Sequence, residues 1–209
     1  MSLKVKARVV GGSIAVLVAA ISTASAEERR AASPSASSAP IPAALAAPAG
    51  HELAFELLAD GVQIYSCVHA RGAAGAAAAW EFQAPEATLT DRRGRRAGQH
   101  GAGPTWEALD GSSVKGAKVE SATPDPSAIP WLLLRAASHG SGAGQMADVT
   151  FVQRVWTSGG NAPSDGCGDA TVGATARVPY RAVYRFYHTR AIRPGEGERA
   201  IPTGGSSYP

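Results

Sequence analysis

The chain has 209 residues, 44% of them hydrophobic and 18% charged, with 24 Gly and 14 Pro; this suits one domain of ordinary size and leaves few windows long enough for a helix. It has 20 Lys+Arg against 17 Asp+Glu, a formal net charge of +3. Three of the basic residues and none of the acids fall in the first 26 positions, which leaves 17 of each sign beyond them. That balance excludes general electrostatic recruitment by nucleic acid or an anionic membrane surface.

Residues 1–26 divide into three zones. Lys4, Lys6 and Arg8 make a cationic start, Val9 to Ile21 is apolar, and Ala24-Ser25-Ala26 supplies small side chains. This is the pattern of a secretory signal peptide cleaved at an A-x-A site. The apolar zone falls short of the roughly 20 residues that span a bilayer, so no stable membrane span is expected after cleavage. The expected address is therefore exported, periplasmic or extracellular. Residues 27–40 are Ala, Ser and Pro with a few charges and read as a flexible spacer. A β-rich domain is expected over 41–190, followed by a flexible polar tail over 191–209.

Within the domain, Leu53, Phe55 and Leu57 alternate with polar or small residues, the period of a half-buried strand. Asp60-Gly61 reads as a hairpin turn into Val62–Val68. Gly72 to Ala79 is Ala-rich and fits a short helix or a loop. Arg92-Arg93-Gly94-Arg95-Arg96 reads as the exposed tip of a hairpin between Leu89 and Ala97. Ile129–Leu134 is a short apolar run with Pro130 inside it, which blocks a helix and predicts a central strand buried on both faces. Val149–Val152 and Val155-Trp156 are β-branched and aromatic, as strands prefer. Tyr180, Ala182, Tyr184 and Phe186 share one face of a last strand. The fold class predicted is all-β: a single antiparallel β-sandwich or barrel-like domain with long Gly/Pro-rich loops.

Cys67 and Cys167 are the only cysteines. Export favours a disulfide between them, closing a loop of about 100 residues. No C-x-x-C occurs, which disfavours a zinc or redox site. No haem motif is present either. The nearest approach to a dinucleotide fingerprint, Gly140-Ser141-Gly142-Ala143-Gly144-Gln145, has the wrong spacing and precedes a strand-like segment, so it reads as a loop and no NAD site is expected.

The densest run of reactive groups is His100 to Ser113, which places an imidazole, an indole, two carboxylates and three hydroxyls on a turn-rich backbone. His100, Trp106, Glu107, Asp110 and Ser112 are the candidate ligand-binding residues there. Trp156, beside a second Gly-rich stretch, joins them. Trp106 and Trp156 are the aromatics expected at the surface, and Trp80, Trp131, Tyr65, Tyr180, Tyr184 and Tyr187 are expected in the core. His100, Glu107 and Asp110 together carry donors that suit Zn, Cu or Mn, although their spacing matches no established motif. Ser112, His100 and Asp110 can be arranged on paper as a nucleophilic triad, but no G-x-S-x-G elbow supports it.

A set of segments also resembles a family of exported bacterial and fungal proteins known as domain of unknown function 3455. They are Gly61–Cys67, Trp80-Glu81-Phe82, Ala84–Ala87, Gly98-Gln99-His100, Gly103–Ala108, Asp110-Gly111-Ser112, Ile129–Leu134, Val152–Val155, Gly159-Gly160, Cys167 and Val178-Pro179-Tyr180. The resemblance runs from residue 41 to about 188 and implies export and the extent of the fold, not an activity. Two positions depart from it. Gly101 stands where an aromatic is usual, and Trp156 where Asn is usual.

The function expected is a non-catalytic binding module for a small molecule or an envelope polysaccharide. The alternatives are a metal-dependent or hydrolytic enzyme centred on the His100–Asp110 loop, and a structural or stress-related envelope protein without a site. No nucleic-acid partner is expected, because no aromatic residue is interleaved with the arginine cluster.

Overall fold

Period-two alternation builds almost the whole molecule. The computed structural model describes residues 39–69, 77–140 and 142–191. Eight strands account for most of them: β1 (His51–His69), β2 (Ala78–Thr90), β3 (Arg96–Gly101), β4 (Thr105–Ala108), β5 (Ser113–Ala122), β6 (Trp131–His139), β7 (Phe151–Gly159) and β8 (Thr175–Thr189). Each strand pairs antiparallel with the next, and β8 returns to β1, closing a barrel in simple sequence order. The expected signal peptide, the spacer up to residue 38, the tail from residue 192 and residues 72–76 of the Ala-rich stretch lie outside the described residues. Ala78 and Ala79, at the end of that stretch, open β2.

The register explains which side chains fill the barrel. One inward row runs Tyr180–Gly61–Ala87–His100–Trp106–Val114 from strand to strand. Another runs Leu132–Arg154–Tyr184–Leu57, and a third Leu134–Val152–Phe186. These rows supply most of the main core, with Leu89, Ala108 and Ala182. Burying these apolar side chains is the dominant favourable term in folding. Outward alternation in β6, β7 and β8 gives a second apolar cluster of Trp131, Leu133, Val155 and Val183. Leu45, from a 3-10 turn at Ala43–Leu45, covers it and is fully buried. The buried Gln153 side chain fixes that cover by donating to the Leu45 carbonyl, while its own oxygen accepts from Tyr187 Oη at 2.6 Å. The strand predicted at Ile129–Leu134 begins at Trp131, after Ile129 and Pro130, and its residues Trp131 to Leu134 are buried or half-buried on both faces, as the continuous apolar run required.

One sequence expectation fails. Asp60-Gly61 makes no turn, because β1 runs straight through it and pairs with both neighbours. The glycine is there for space. A Cβ on Gly61 would lie 2.1 Å from the Glu86 carbonyl oxygen and 2.5 Å from the Ala87 Cα. Gly98 is the same device, 2.1 Å from the Glu107 carbonyl oxygen. A glycine that admits a neighbouring backbone carries the same dipeptide signature as a hairpin glycine.

The two ends of the barrel differ. At one end the segment from Gly142 to Thr150 folds inward, and Met146 and Val149 are buried in the core as a plug. Asp110 and Ser112, in the β4–β5 turn, hold this plug. Asp110 accepts from Gln145 N at 2.8 Å, and Ser112 Oγ accepts from Met146 N at 3.0 Å. The opposite end receives the last residues of β1, β3, β5 and β7 and the first residues of β2, β4, β6 and β8.

Candidate functional site

The end opposite the plug holds a cavity of about 440 Å³. Its wall is mostly apolar: Tyr65, Phe82, Pro85, Trp106, Ile129, Leu132 and Leu134, with Tyr184 at the back. Phe82 is 49% exposed at the rim and meets the Tyr65 ring edge-on at 5.7 Å. An eight-stranded barrel has room inside for packed side chains or for one small ligand. Here the plugged half is filled by side chains and the other half is not.

His100 sits on β3 at the inner edge of this space. It stacks on Trp106 with ring centroids 4.6 Å apart and meets Tyr184 edge-on at 4.9 Å. Its Nδ1 lies 2.9 Å from the Thr105 carbonyl. A carbonyl only accepts, so Nδ1 carries the hydrogen and Nε2 is left as an acceptor. Burial pushes the imidazole pKa down to about 4, with the nearby positive charge of Arg154 adding to the fall and the Thr105 hydrogen bond opposing it. The ring is thus neutral at ordinary pH.

Two polar atoms of the wall lack partners. Gln63 Nε2 and Trp106 Nε1 are both buried without a hydrogen-bond acceptor, and their residues are 2% and 1% exposed. A buried donor left unsatisfied costs about 1–3 kcal/mol, so such atoms are rare in native interiors. Both belong to residues lining the same cavity.

Arg154 is the cavity's cation. Its register between Leu132 and Tyr184 turns it inward. Its Nε donates to the Pro130 carbonyl at 3.0 Å. Its charge is felt by Tyr65, His100, Tyr180 and Tyr184, all inward-facing. Burial nonetheless holds the Tyr184 phenol above its usual range, so its hydroxyl keeps its proton.

The walls of the mouth are firmly tied. The predicted disulfide is formed, with Cys67 and Cys167 Cα atoms 5.4 Å apart, and joins the end of β1 to the β7–β8 connection. Tyr65 Oη donates to the Gly160 carbonyl at 2.6 Å, and Trp80 Nε1 to the Asp165 carbonyl at 2.8 Å. These ties hold the rim in one shape.

A larger depression of about 560 Å³ lies across β1, β2 and β3, lined largely by outward residues including Asp60, Glu86, Gln99, Glu107 and Arg177. Two of its carboxylates are already answered: Arg177 pairs with Glu86 at 2.9 Å, and Arg181 with Asp60 at 2.9 Å. These are exposed pairs on an open face, and nothing there lacks a partner of the kind found in the interior.

The residues singled out in the sequence therefore separate. His100 and Trp106 are brought together at the cavity, and Trp106 is buried, not exposed. Glu107, one residue on, alternates outward and accepts from Gln99 Nε2 at 3.1 Å. Asp110 and Ser112 are at the plugged end, bonded to each other at 2.5 Å. His100, Glu107 and Asp110 do not converge, and the described residues contain no group of three His, Cys, Asp or Glu able to hold a metal. The Ser112–His100–Asp110 arrangement is likewise not assembled. Trp156 belongs to the outer cluster, where its Nε1 donates to the Ala39 carbonyl at 3.0 Å.

Trp156 also has φ of +50°, inside a register shift between Val155 and Ser158. The left-handed region costs most L-residues about 1–2 kcal/mol, and Asn is among the few that enter it readily. This gives a backbone reason for an Asn at this position, where the resemblance leads one to expect it. Burial against Trp131 and the strap at Ala39 offsets the strain for Trp.

Sequence reasoning missed Gln63, Tyr65, Arg154 and Tyr184 as a set. Arg154 lies among alternating residues whose two faces are both buried, so nothing in the pattern marks it as inward. Comparison with known proteins gives one match: a family described as "Protein of unknown function (DUF3455)" covers residues 48–188. No curated protein and no solved structure matches the chain.

Proposed function

The chain belongs to the DUF3455 family, and we propose that it is an exported binding module that takes a small molecule into the open end of its barrel. One observation carries this reading: Gln63 and Trp106, which line one apolar cavity, each hold a buried N–H donor without an acceptor. A ligand that offers acceptors there recovers the desolvation cost of both groups. Pockets of about 300–1,000 Å³ with apolar walls and a few placed polar groups are what small-molecule sites look like.

A small molecule is favoured over a polysaccharide by how the aromatics are placed. Trp106 faces the interior and Trp156 is covered by the N-terminal strap, so neither offers an open shelf for a sugar chain. Export is supported by the disulfide and by the pattern of residues 1–26. No helix among the described residues is long and apolar enough to cross a membrane.

The test is a titration of purified protein with neutral and charged apolar small molecules, read by tryptophan emission and thermal shift. Binding should perturb emission in wild type, and Trp106→Phe should weaken it while Trp156→Phe does not. If no compound moves either signal, the reading is wrong.

A further inference from the structure

The proposed cavity holds a cation and no negative charge, and this narrows what it takes. We infer that its ligand is a small organic carboxylate with an apolar body, gripped by Arg154 through its carboxylate. This rests on the cavity being a binding site and adds the chemical class.

The cavity lining contains Arg154 and no Asp or Glu. No carboxylate lies within ion-pair distance of Arg154 among the described residues, whereas Arg92, Arg95, Arg177, Arg181, Arg185 and Arg190 each have one. Arg93, Arg96 and Arg135 also have none, but they are exposed; Arg154 is the one of these that is turned inward. Desolvating a cation without a counter-charge is costly, and an anion held beside it removes that cost. The two orphan donors, Gln63 Nε2 and Trp106 Nε1, belong to residues that line the same space and also call for an acceptor. A neutral sugar or alcohol would satisfy the amide and indole hydrogens and leave the guanidinium without a counter-charge. A carboxylate meets both needs, because a guanidinium fork matches its two oxygens. One cation favours a singly charged head; a phosphate near −2 would carry an uncompensated charge into an apolar wall.

The body of the ligand is set by the remaining surface. Leu132, Leu134, Ile129 and the exposed rim residue Phe82 are apolar. The volume of about 440 Å³ equals roughly 15 waters at their liquid share. An acid of about a dozen heavy atoms fits that space.

The experiment compares decanoate with decanol on the purified, disulfide-bonded chain, with the neutral dye Nile red as a reporter of cavity entry. Decanoate should bind at least tenfold more tightly than decanol at pH 7.5. Arg154→Met should remove that advantage, and Arg154→Lys should retain part of it. If Nile red enters but decanoate shows no advantage in wild type, the carboxylate assignment fails and the cavity reading stands. If neither Nile red nor either chain binds, the cavity reading fails and takes this inference with it. The wild-type comparison decides the matter even if Arg154→Met does not fold.

Discussion

Lowering the pH should destabilise this protein through one buried ring. The His100 pKa is held at about 4 in the folded chain, against an ordinary value of 6.5. Between those values the unfolded chain binds a proton that the folded chain refuses. Stability therefore falls as pH drops through this window, and His100 contributes its full share only above about 6.5. The gap corresponds to roughly 3 kcal/mol over the whole window, most of it lost by pH 4.5. The lowered carboxylates of Asp91, Asp110 and Asp125 lose most of their contribution below 3.8, so they add little to the change down to pH 4.5. The assay is urea unfolding at pH 7.5 and 4.5 on wild type and on His100→Phe. Wild type should lose about 2–3 kcal/mol between the two conditions, and the variant markedly less. The His100 ring resonances should also fail to titrate down to pH 4.5. Equal acid sensitivity in the two proteins would refute the burial argument.

Removing the Cys67–Cys167 bond, by reduction or by Cys67→Ser with Cys167→Ser, should cost up to about 4.7 kcal/mol, the chain-entropy value for a loop of 100 residues; calorimetry of both forms measures it. Gly61→Ala and Gly98→Ala should each cost about 3 kcal/mol, because the new methyl meets backbone, whereas Gly101→Ala, with open space around it, should stay within about 0.5 kcal/mol. Asp110→Ala should lower the unfolding temperature by loosening the plug at Gln145 and Met146, yet leave ligand affinity unchanged, since it acts at the far end of the barrel. Glu107→Gln should alter neither affinity nor emission, because that side chain points out of the barrel.

The fold class was readable because strand alternation survives wherever one face meets solvent. Tyr180, Ala182, Tyr184 and Phe186 all face inward as their spacing implied, and the two cysteines left a single intramolecular pairing. The site was readable only in part. His100 and Trp106 meet across the β3–β4 ladder, a local hairpin whose partners lie six residues apart. Glu107, Asp110 and Ser112 are as close in sequence, but a strand takes Glu107 to the other face and carries Asp110 and Ser112 to the other end. Arg154 and Gln63 are far apart in the chain and meet only because the barrel closes. Side-chain period cannot reveal a cavity that depends on closure.

That closure has a cost during synthesis. The ladder joining β1 to β8 pairs residues such as His51 with Thr189, so the ring cannot be sealed until the last strand exists. Pairings this distant in sequence are slow to form. A chain cut before Thr175 would present two bare strand edges at once, β1 and β7, each a template for a neighbouring molecule. Premature truncation should therefore yield aggregates, not a weakened barrel.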